Sequence, residues 1–157
     1  MLMKDLPEFC KKIKDIGLSV KLDTNGFFPA QLKYIVNSGL CDYVAMDIKN
    51  CPSRYAETVG VSFVDFKKLQ ESIEFLKSGK VDHEFRTTVC KPFHDKEALV
   101  TIASLLGRDE KYFLQSFVDS GKLLGMGVNG FSPSEMKEFL SDIIEFTPKA
   151  ALRGVDN

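Results

Sequence analysis

Hydrophobic residues recur along this chain with two alternating periods. Spacings of three and four residues predict helices over 2–16, 29–36, 66–76 and 99–106 and from 133 onwards. Shorter apolar runs over 18–22, 43–46, 84–89 and 112–117 predict strands between these helices. Strands that alternate with helices are typical of a parallel sheet with right-handed crossovers. The pattern therefore predicts an α/β fold with about four parallel strands and flanking helices.

The length and composition are those of one ordinary globular domain. The chain has 157 residues, of which 44% are hydrophobic and 27% are charged, and no low-complexity tract or linker divides it. We therefore expect a single domain over 1–157. Because the chain opens on a helix, and because a closed (β/α) barrel typically needs about 250 residues, we expect a partial barrel whose first units are missing.

The charge balance and the cysteines narrow the function classes. The 21 basic and 22 acidic side chains give a formal charge of −1, which favours neither nucleic acid nor a membrane surface as a partner. No apolar run reaches the roughly 18 residues of a membrane span. Without a signal-peptide pattern, we expect a cytoplasmic protein whose four cysteines are reduced. No cysteine and histidine spacing indicates a zinc site.

Polar side chains stand at the carboxyl end of each predicted strand. In parallel α/β proteins ligands bind at these ends, because the loops there hold side chains on a rigid frame. Both charge signs are represented, which favours a ligand that carries cationic and anionic groups. The candidate binding residues are Asp23, Thr24, Asn25, Asp47, Lys49, Arg86 and Gln115.

Several of these residues also have a purely structural interpretation. Asp23 and Asn25 suit an Asx turn, in which a side chain bonds to the backbone two residues further on. Lys49 and Arg86 could be ordinary surface charges. The individual residues are therefore weaker indicators than the ordered set.

Two further motifs are expected to be unrelated to function. The glycine pattern over 125–130 matches a dinucleotide fingerprint in letters, but no strand directly precedes it, and we expect a flexible loop. His94 is expected to be a solvated residue at a helix start, because the sequence gives it no orienting partner.

Three segments, taken in order, resemble the later half of a radical S-adenosylmethionine (SAM) enzyme. They are Leu22-Asp23-Thr24-Asn25-Gly26-Phe27, Met46-Asp47-Ile48-Lys49 and Glu84-Phe85-Arg86-Thr87-Thr88-Val89. More narrowly, residues 5–146 are similar to the activating enzymes of glycyl-radical proteins. Within that family the chain most resembles the anaerobic ribonucleoside-triphosphate reductase activating proteins, with the pyruvate formate-lyase activating enzymes as close relatives.

The resemblance implies an oxidoreductase that uses SAM and a [4Fe-4S] cluster. In such enzymes an electron from the cluster cleaves SAM to methionine and a 5′-deoxyadenosyl radical, which removes hydrogen from a glycine of a partner enzyme. The implied partner is anaerobic ribonucleotide reductase or a pyruvate formate-lyase-like enzyme, with a flavodoxin or ferredoxin-type electron donor.

The resemblance also implies roles for the residues at the strand ends. Asp23 and Thr24 would lie near the methionyl end of SAM, together with a monovalent cation. Asp47 and Lys49 would contact the ribose or methionyl groups of SAM. The cofactor-binding set is completed by Asn25, by Arg86, which would face the same cavity, and by Gln115.

The chain departs from the pattern of the family in two motifs. It has no Cys-x3-Cys-x2-Cys to hold the cluster and no Gly-Gly-Glu-Pro segment to bind the SAM amino group. We therefore expect the carboxyl-terminal portion of such an enzyme, which alone holds no metal or cluster, carries no cofactor when isolated and is inactive. The strand that ends at Asp23 would present an unpaired edge, through which we expect self-association.

Two other functions stay open from the sequence. Met46-Asp47-Ile48-Lys49 and Lys91-Pro92-Phe93 resemble segments of response-regulator receiver domains, with Asp47 as phospho-acceptor. The order of elements departs from a receiver, which needs an acidic pair after its first strand and one further strand between those segments. The chain could also be a non-catalytic α/β scaffold that kept the fold and lost the site.

Overall fold

The computed structural model describes residues 5–119, 121 and 127–155. Within them, helices and strands alternate as the sequence predicts, which confirms the α/β class. In chain order the elements are α1 (Leu6–Asp15), β1 (Lys21–Thr24), α2 (Pro29–Asn37), β2 (Tyr43–Asp47), a 3₁₀ turn (Pro52–Arg54), α3 (Tyr55–Thr58), α4 (Phe66–Lys77), β3 (Asp82–Val89), α5 (Lys96–Leu106), β4 (Tyr112–Ser116), α6 (Pro133–Ile143) and β5 (Ala150–Arg153).

The described residues form five strands, one more than the roughly four that the sequence predicts. The additional strand, β5, has four residues and pairs in parallel with β4. Its sequence, Ala-Ala-Leu-Arg, contains no β-branched or aromatic residue, so strand propensity gives no signal there. The strand conformation of β5 is therefore stabilised by its pairing with β4 and not by the strand propensity of its own residues.

The chain divides into two compact units. The first contains the described residues up to Asp47 together with Asp65–Glu84, and the second contains Ile48–Val64 together with the described residues from Phe85 onwards. The single domain expected from the sequence stays a prediction.

In the first unit, β1 and β2 pair in parallel. The register runs from Lys21 opposite Tyr43 to Thr24 opposite Met46. Helices α2 and α4 contact each other. The buried side chains of this unit include Leu32, Ile35, Val44, Met46, Leu69, Ile73 and Leu76.

In the second unit, β4 lies between β3 and β5, and all of these pairings are parallel. Helix α6 contacts α5 and β5. It starts with a capping box in which Ser132 and Glu135 exchange hydrogen bonds. The buried side chains of this unit include Phe85, Leu99, Ile102, Tyr112, Leu114 and Met136.

All four cysteines lie in the described part of the chain. Each is buried, and none forms a disulfide. Over the same described residues, no helix combines the length and apolar character that crossing a bilayer requires.

Candidate functional site

The turn after β1 is built largely by its own side chains. The hydroxyl Oγ1 of Thr24 accepts a hydrogen bond from the backbone N–H of Gly26 at 3.1 Å. The amide Oδ1 of Asn25 accepts one from the N–H of Phe27, also at 3.1 Å. These are the ST and Asx turns that such residues favour. Thr24 and Asn25 therefore have a structural task in shaping this turn.

Gly26 locks the same turn onto its neighbours. Its φ of +76° lies in the left-handed region, and a Cβ at this position would come within 2.1 Å of Cε of Met46. Its carbonyl accepts a hydrogen bond of 2.6 Å from the buried hydroxyl of Ser72 on α4. A glycine is therefore required both by the backbone conformation and by the close approach of Met46.

Two carboxylates lie on one face of the β1–β2 pair. Asp23 stands opposite Ala45 in the register, and Asp47 lies two residues further along β2. Because paired residues of a sheet point to the same face and alternate along each strand, Asp23 and Asp47 share a face and Thr24 points to the other. Asp23 is exposed and Asp47 is half-buried. Carboxylates accept hydrogen bonds from hydroxyl groups and pair with amines.

In the second unit, residues 48–50 run beside the carboxyl-terminal half of β3. The N–H of Ile48 donates to the carbonyl of Arg86 at 2.8 Å. The carbonyl of Ile48 accepts from Oγ1 of Thr87 at 2.7 Å, and this hydroxyl in turn accepts from the phenol of Tyr112 at 2.8 Å. Thr87 and Tyr112 are buried, so these bonds are shielded from water. We call residues 48–50 the Lys49 segment.

The side chain of Asn50 anchors the carboxyl-terminal end of the Lys49 segment through hydrogen bonds. Asn50 is fully buried, and its Nδ2 donates to Oγ1 of Thr58 and to the carbonyl of Phe93, each at 2.8 Å. Its Oδ1 accepts from the N–H of Cys51 at 2.7 Å. One side chain therefore joins three parts of the second unit.

Lys49 itself is held at both backbone atoms. Its N–H donates to the phenol oxygen of Tyr55 at 3.3 Å, and its carbonyl lies 2.9 Å from Nε2 of His94. The Lys49 side chain is half-buried. The backbone of Lys49 is thus fixed from two directions, while the position of its ammonium depends on the flexible side chain.

The expectation that His94 is solvated is wrong. Its exposed fraction is 5%, and its Nδ1 lies 3.2 Å from the N–H of Cys90. Burial holds the pKa of the imidazole below its ordinary value, although the carbonyls of Lys49 and Cys90 and the carboxylate of Asp95 oppose that shift. The partner that orients the ring, Lys49, is 45 residues away in sequence, so no local pattern could reveal it.

The remaining two candidates lie on one face of the second unit. Arg86 stands opposite Phe113, and Thr88 stands opposite Gln115, so the side chains of Arg86 and Gln115 share a face. Thr87 alternates to the opposite face, where its hydroxyl is engaged as described. Arg86 and Gln115 are both half-buried.

Arg153 lies on the same face as Arg86 and Gln115, and sequence reasoning missed it. It stands opposite Gln115 in the register of β4 and β5, and its guanidinium lies 3.9 Å from the ring centroid of Phe113. Because β5 has no recognisable strand pattern, nothing in the sequence places this residue at a strand end.

The structure thus brings the candidates together within each unit. The first unit places Asp23 and Asp47 on one face. The second unit holds Lys49 on a bonded segment and places Arg86 and Gln115 on one face of its sheet. Carboxylates such as those of the first unit can accept hydrogen bonds from hydroxyl groups and amines, and cationic side chains such as those of the second unit can pair with carboxylates.

The described residues do not fit an iron–sulfur cluster. Within 5–119, 121 and 127–155, no group of three or more cysteine, histidine, aspartate or glutamate side chains is arranged to hold a metal. Cluster ligation needs several thiolates that converge, and burial raises the pKa of the Cys10, Cys41 and Cys90 thiols. Gly125, which opens the glycine pattern noted above, lies outside the described residues.

Comparisons with known proteins give matches in both sequence and structure. No protein-family model matches the chain. A protein of Methanocaldococcus jannaschii, named provisionally as a glycyl-radical enzyme activating enzyme, is 32% identical over 122 residues, which cover 74% of this chain and 50% of that protein. A crystal structure of a domain of pyruvate-formate lyase-activating enzyme from Bacteroides vulgatus superposes with a TM-score of 0.75 at 14% identity, covering 98% of this chain and 96% of that chain.

The two matches carry different information. The structural likeness shows that the chain has the fold of that domain, and it confirms the predicted α/β class with parallel strands and flanking helices. The sequence similarity points to the glycyl-radical enzyme activating enzymes. The chain spans about half the length of the curated relative that it matches.

Proposed function

We propose that this chain supplies part of the SAM-binding surface of a radical SAM enzyme that activates a glycyl-radical protein. The observation that carries the proposal is the placement of Asp23 and Asp47 on one face of β1 and β2, at the carboxyl ends where ligands bind in such folds. The similarity to an activating enzyme over 74% of the chain supports the same function.

The donor set of the site fits the chemistry of SAM. The carboxylates of Asp23 and Asp47 can accept hydrogen bonds from the ribose hydroxyls or the amine of SAM, with Thr24 and Asn25 shaping the turn that presents Asp23. Lys49 and Arg86 can pair with its carboxylate, and Gln115 can add an amide contact. A cluster, when bound, would supply the electron for SAM cleavage, and no described residue of this chain is assigned to hold it.

The partner and electron donor follow from the same proposal. A glycyl-radical enzyme of the anaerobic ribonucleotide reductase or pyruvate formate-lyase type would receive the radical, and a flavodoxin or ferredoxin-type protein would deliver the electron. The names of both matched proteins support a partner of this class. A cytoplasmic location stays a prediction.

Titration with SAM tests the proposed site directly. We expect the chain to bind SAM weakly, and we expect Asp47→Asn and Lys49→Met each to weaken binding at least about tenfold, since each removes a charge-assisted contact. The matched controls are Asp15→Asn and Lys68→Met, which alter exposed helical residues and should leave the affinity unchanged. Equilibrium dialysis with labelled SAM gives the dissociation constants. Equal affinities in all five proteins would contradict the proposal.

Anaerobic reconstitution with iron and sulfide tests whether this chain alone can hold a cluster and cleave SAM. We expect neither stoichiometric iron nor 5′-deoxyadenosine from the chain alone, because its described residues do not converge on a cluster. Stoichiometric iron together with SAM cleavage would show that this chain is catalytically sufficient.

A further inference from the structure

The backbone of Lys49 is connected to the turn after β3 through a single buried ring. His94 lies within that turn, and its Nε2 is 2.9 Å from the carbonyl oxygen of Lys49. On the other side of the ring, Nδ1 is 3.2 Å from the backbone nitrogen of Cys90. The imidazole therefore bridges two backbone positions that are 41 residues apart, Lys49 and Cys90.

The two hydrogen bonds determine which ring nitrogen of His94 carries the proton. A carbonyl oxygen only accepts, so Nε2 must donate to Lys49. Nδ1 lies 3.2 Å from both the backbone nitrogen and the carbonyl oxygen of Cys90. In the neutral ring with its proton on Nε2, Nδ1 accepts from the N–H of Cys90, and burial disfavours the doubly protonated ring that would donate to the Cys90 carbonyl instead. With 5% of the residue exposed, water does not compete for either bond.

We propose that His94 is a positioning residue for Lys49, holding the Lys49 backbone where the ammonium can meet the anionic group of the adenosyl ligand. This inference rests on the proposed function of Lys49 in SAM binding. It assigns to His94 no contact with the ligand.

The physical reason lies in the lysine side chain. Its four-carbon stem is flexible, so the protein can preorganise a lysine chiefly by fixing its backbone and the walls around the stem. The phenol of Tyr55 already restrains the Lys49 N–H at 3.3 Å, and the shorter bond from His94 restrains the carbonyl. Loss of the His94 bond would let the peptide after Lys49 rotate and would widen the distribution of ammonium positions.

Two substitutions of His94 test its two hydrogen bonds separately, the one from Nε2 to Lys49 and the one between Nδ1 and Cys90. His94→Gln keeps an N–H donor near the place of Nε2 and can still reach Lys49. His94→Asn keeps a polar atom near the place of Nδ1 and can bond to Cys90, but it is too short to reach Lys49. We expect His94→Gln to bind SAM within about twofold of the native chain and His94→Asn to bind about five- to tenfold more weakly. His83→Asn, at the other histidine of the chain, should have no effect.

A double-mutant cycle distinguishes positioning from a general structural role. If His94 acts through Lys49, His94→Asn should not weaken SAM binding further once Lys49 is already Met. An equal loss in both backgrounds would overturn the inference, and so would unchanged binding by His94→Asn in the native background. A native chain that binds no SAM would overturn the proposed function and the ligand-directed role of His94 with it.

The tautomer provides a measurement that needs no ligand. Nitrogen NMR of the imidazole should show Nε2 protonated and Nδ1 unprotonated near neutral pH, and the Lys49 carbonyl resonance should shift in His94→Asn but not in His94→Gln. Protonation at Nδ1 alone would show that the ring does not donate to Lys49 and would overturn the inference independently of SAM binding.

Discussion

The turn after β1 and the Lys49 segment both follow a strand and carry candidate ligand-binding residues, but different forces hold them. The turn is fixed by Thr24 and Asn25, each bonded to a backbone N–H two residues further on. The Lys49 segment is held by Thr87, Phe93 and His94, which are 39 to 45 residues from their partners. The first is a local structure that four residues can encode, whereas the second exists only when distant elements have assembled.

This difference matters for how each region should respond to change. The turn should tolerate the loss of its exposed bond between Phe27 and Asn25, because water can replace the lost partner there. A buried segment bonded to distant elements leaves unsatisfied partners when one bond is lost, and each such partner costs about 1–3 kcal/mol. At one position of the turn, Gly26, the effect of a substitution should depend mainly on packing against Met46 and not on hydrogen bonding.

The largest effect is therefore expected at Gly26. Gly26→Ala should lower the free energy of unfolding by about 3–4 kcal/mol, because a left-handed conformation costs alanine about 1–2 kcal/mol and the added methyl overpacks Met46. Gly79→Ala is the matched control, since Gly79 has a similar φ of +74° but nothing within 4 Å of the added carbon. Its cost should be about 1–2 kcal/mol, from the backbone conformation alone. Urea unfolding measures both, and equal costs would show that the contact with Met46 is unimportant.

A pair of asparagines compares the two regions directly. Asn50→Ala should cost about 2–3 kcal/mol, because it removes three buried hydrogen bonds and leaves the carbonyl of Phe93 and the N–H of Cys51 without that partner. Asn25→Ala removes one exposed bond, to Phe27, and should cost about 0.5–1 kcal/mol. The same urea experiment gives both values. If Asn25→Ala proved as costly as Asn50→Ala, the distinction between local and distant support would fail.

The same distinction explains what the sequence could and could not predict. The turn over 23–26 could be predicted from the sequence because its hydrogen bonds are local. The role of His94 could not be read, since its partner is on another loop. β5 and Arg153 were missed because four residues without strand propensity take their order from pairing with β4. Pairing between residues that are distant in sequence leaves little local signal, so a single sequence predicts it least well.

The smallest effect on the free energy of unfolding is expected from protonation of His94. No side chain is removed, and only the proton uptake of the imidazole changes. Burial holds the pKa of this imidazole below its ordinary value of about 6.5. The unfolded chain therefore takes up the proton first as the pH falls, and the stability present above about pH 6.5 is lost as the pH falls through the pKa of the folded state. The charged groups that influence the ring are Asp95, which favours protonation, and Arg54, which opposes it.

The test compares the native chain with His94→Gln by urea unfolding at pH 7.5 and pH 5.5. The free energy of unfolding should fall more between these two pH values in the native chain than in the variant, because glutamine does not titrate. His83 is the only other histidine and is present in both proteins, so its contribution cancels. An identical fall in the two proteins would mean that His94 titrates alike in the folded and unfolded states, and the ring could then not be the shielded, neutral bridge between Cys90 and Lys49 that its two hydrogen bonds indicate.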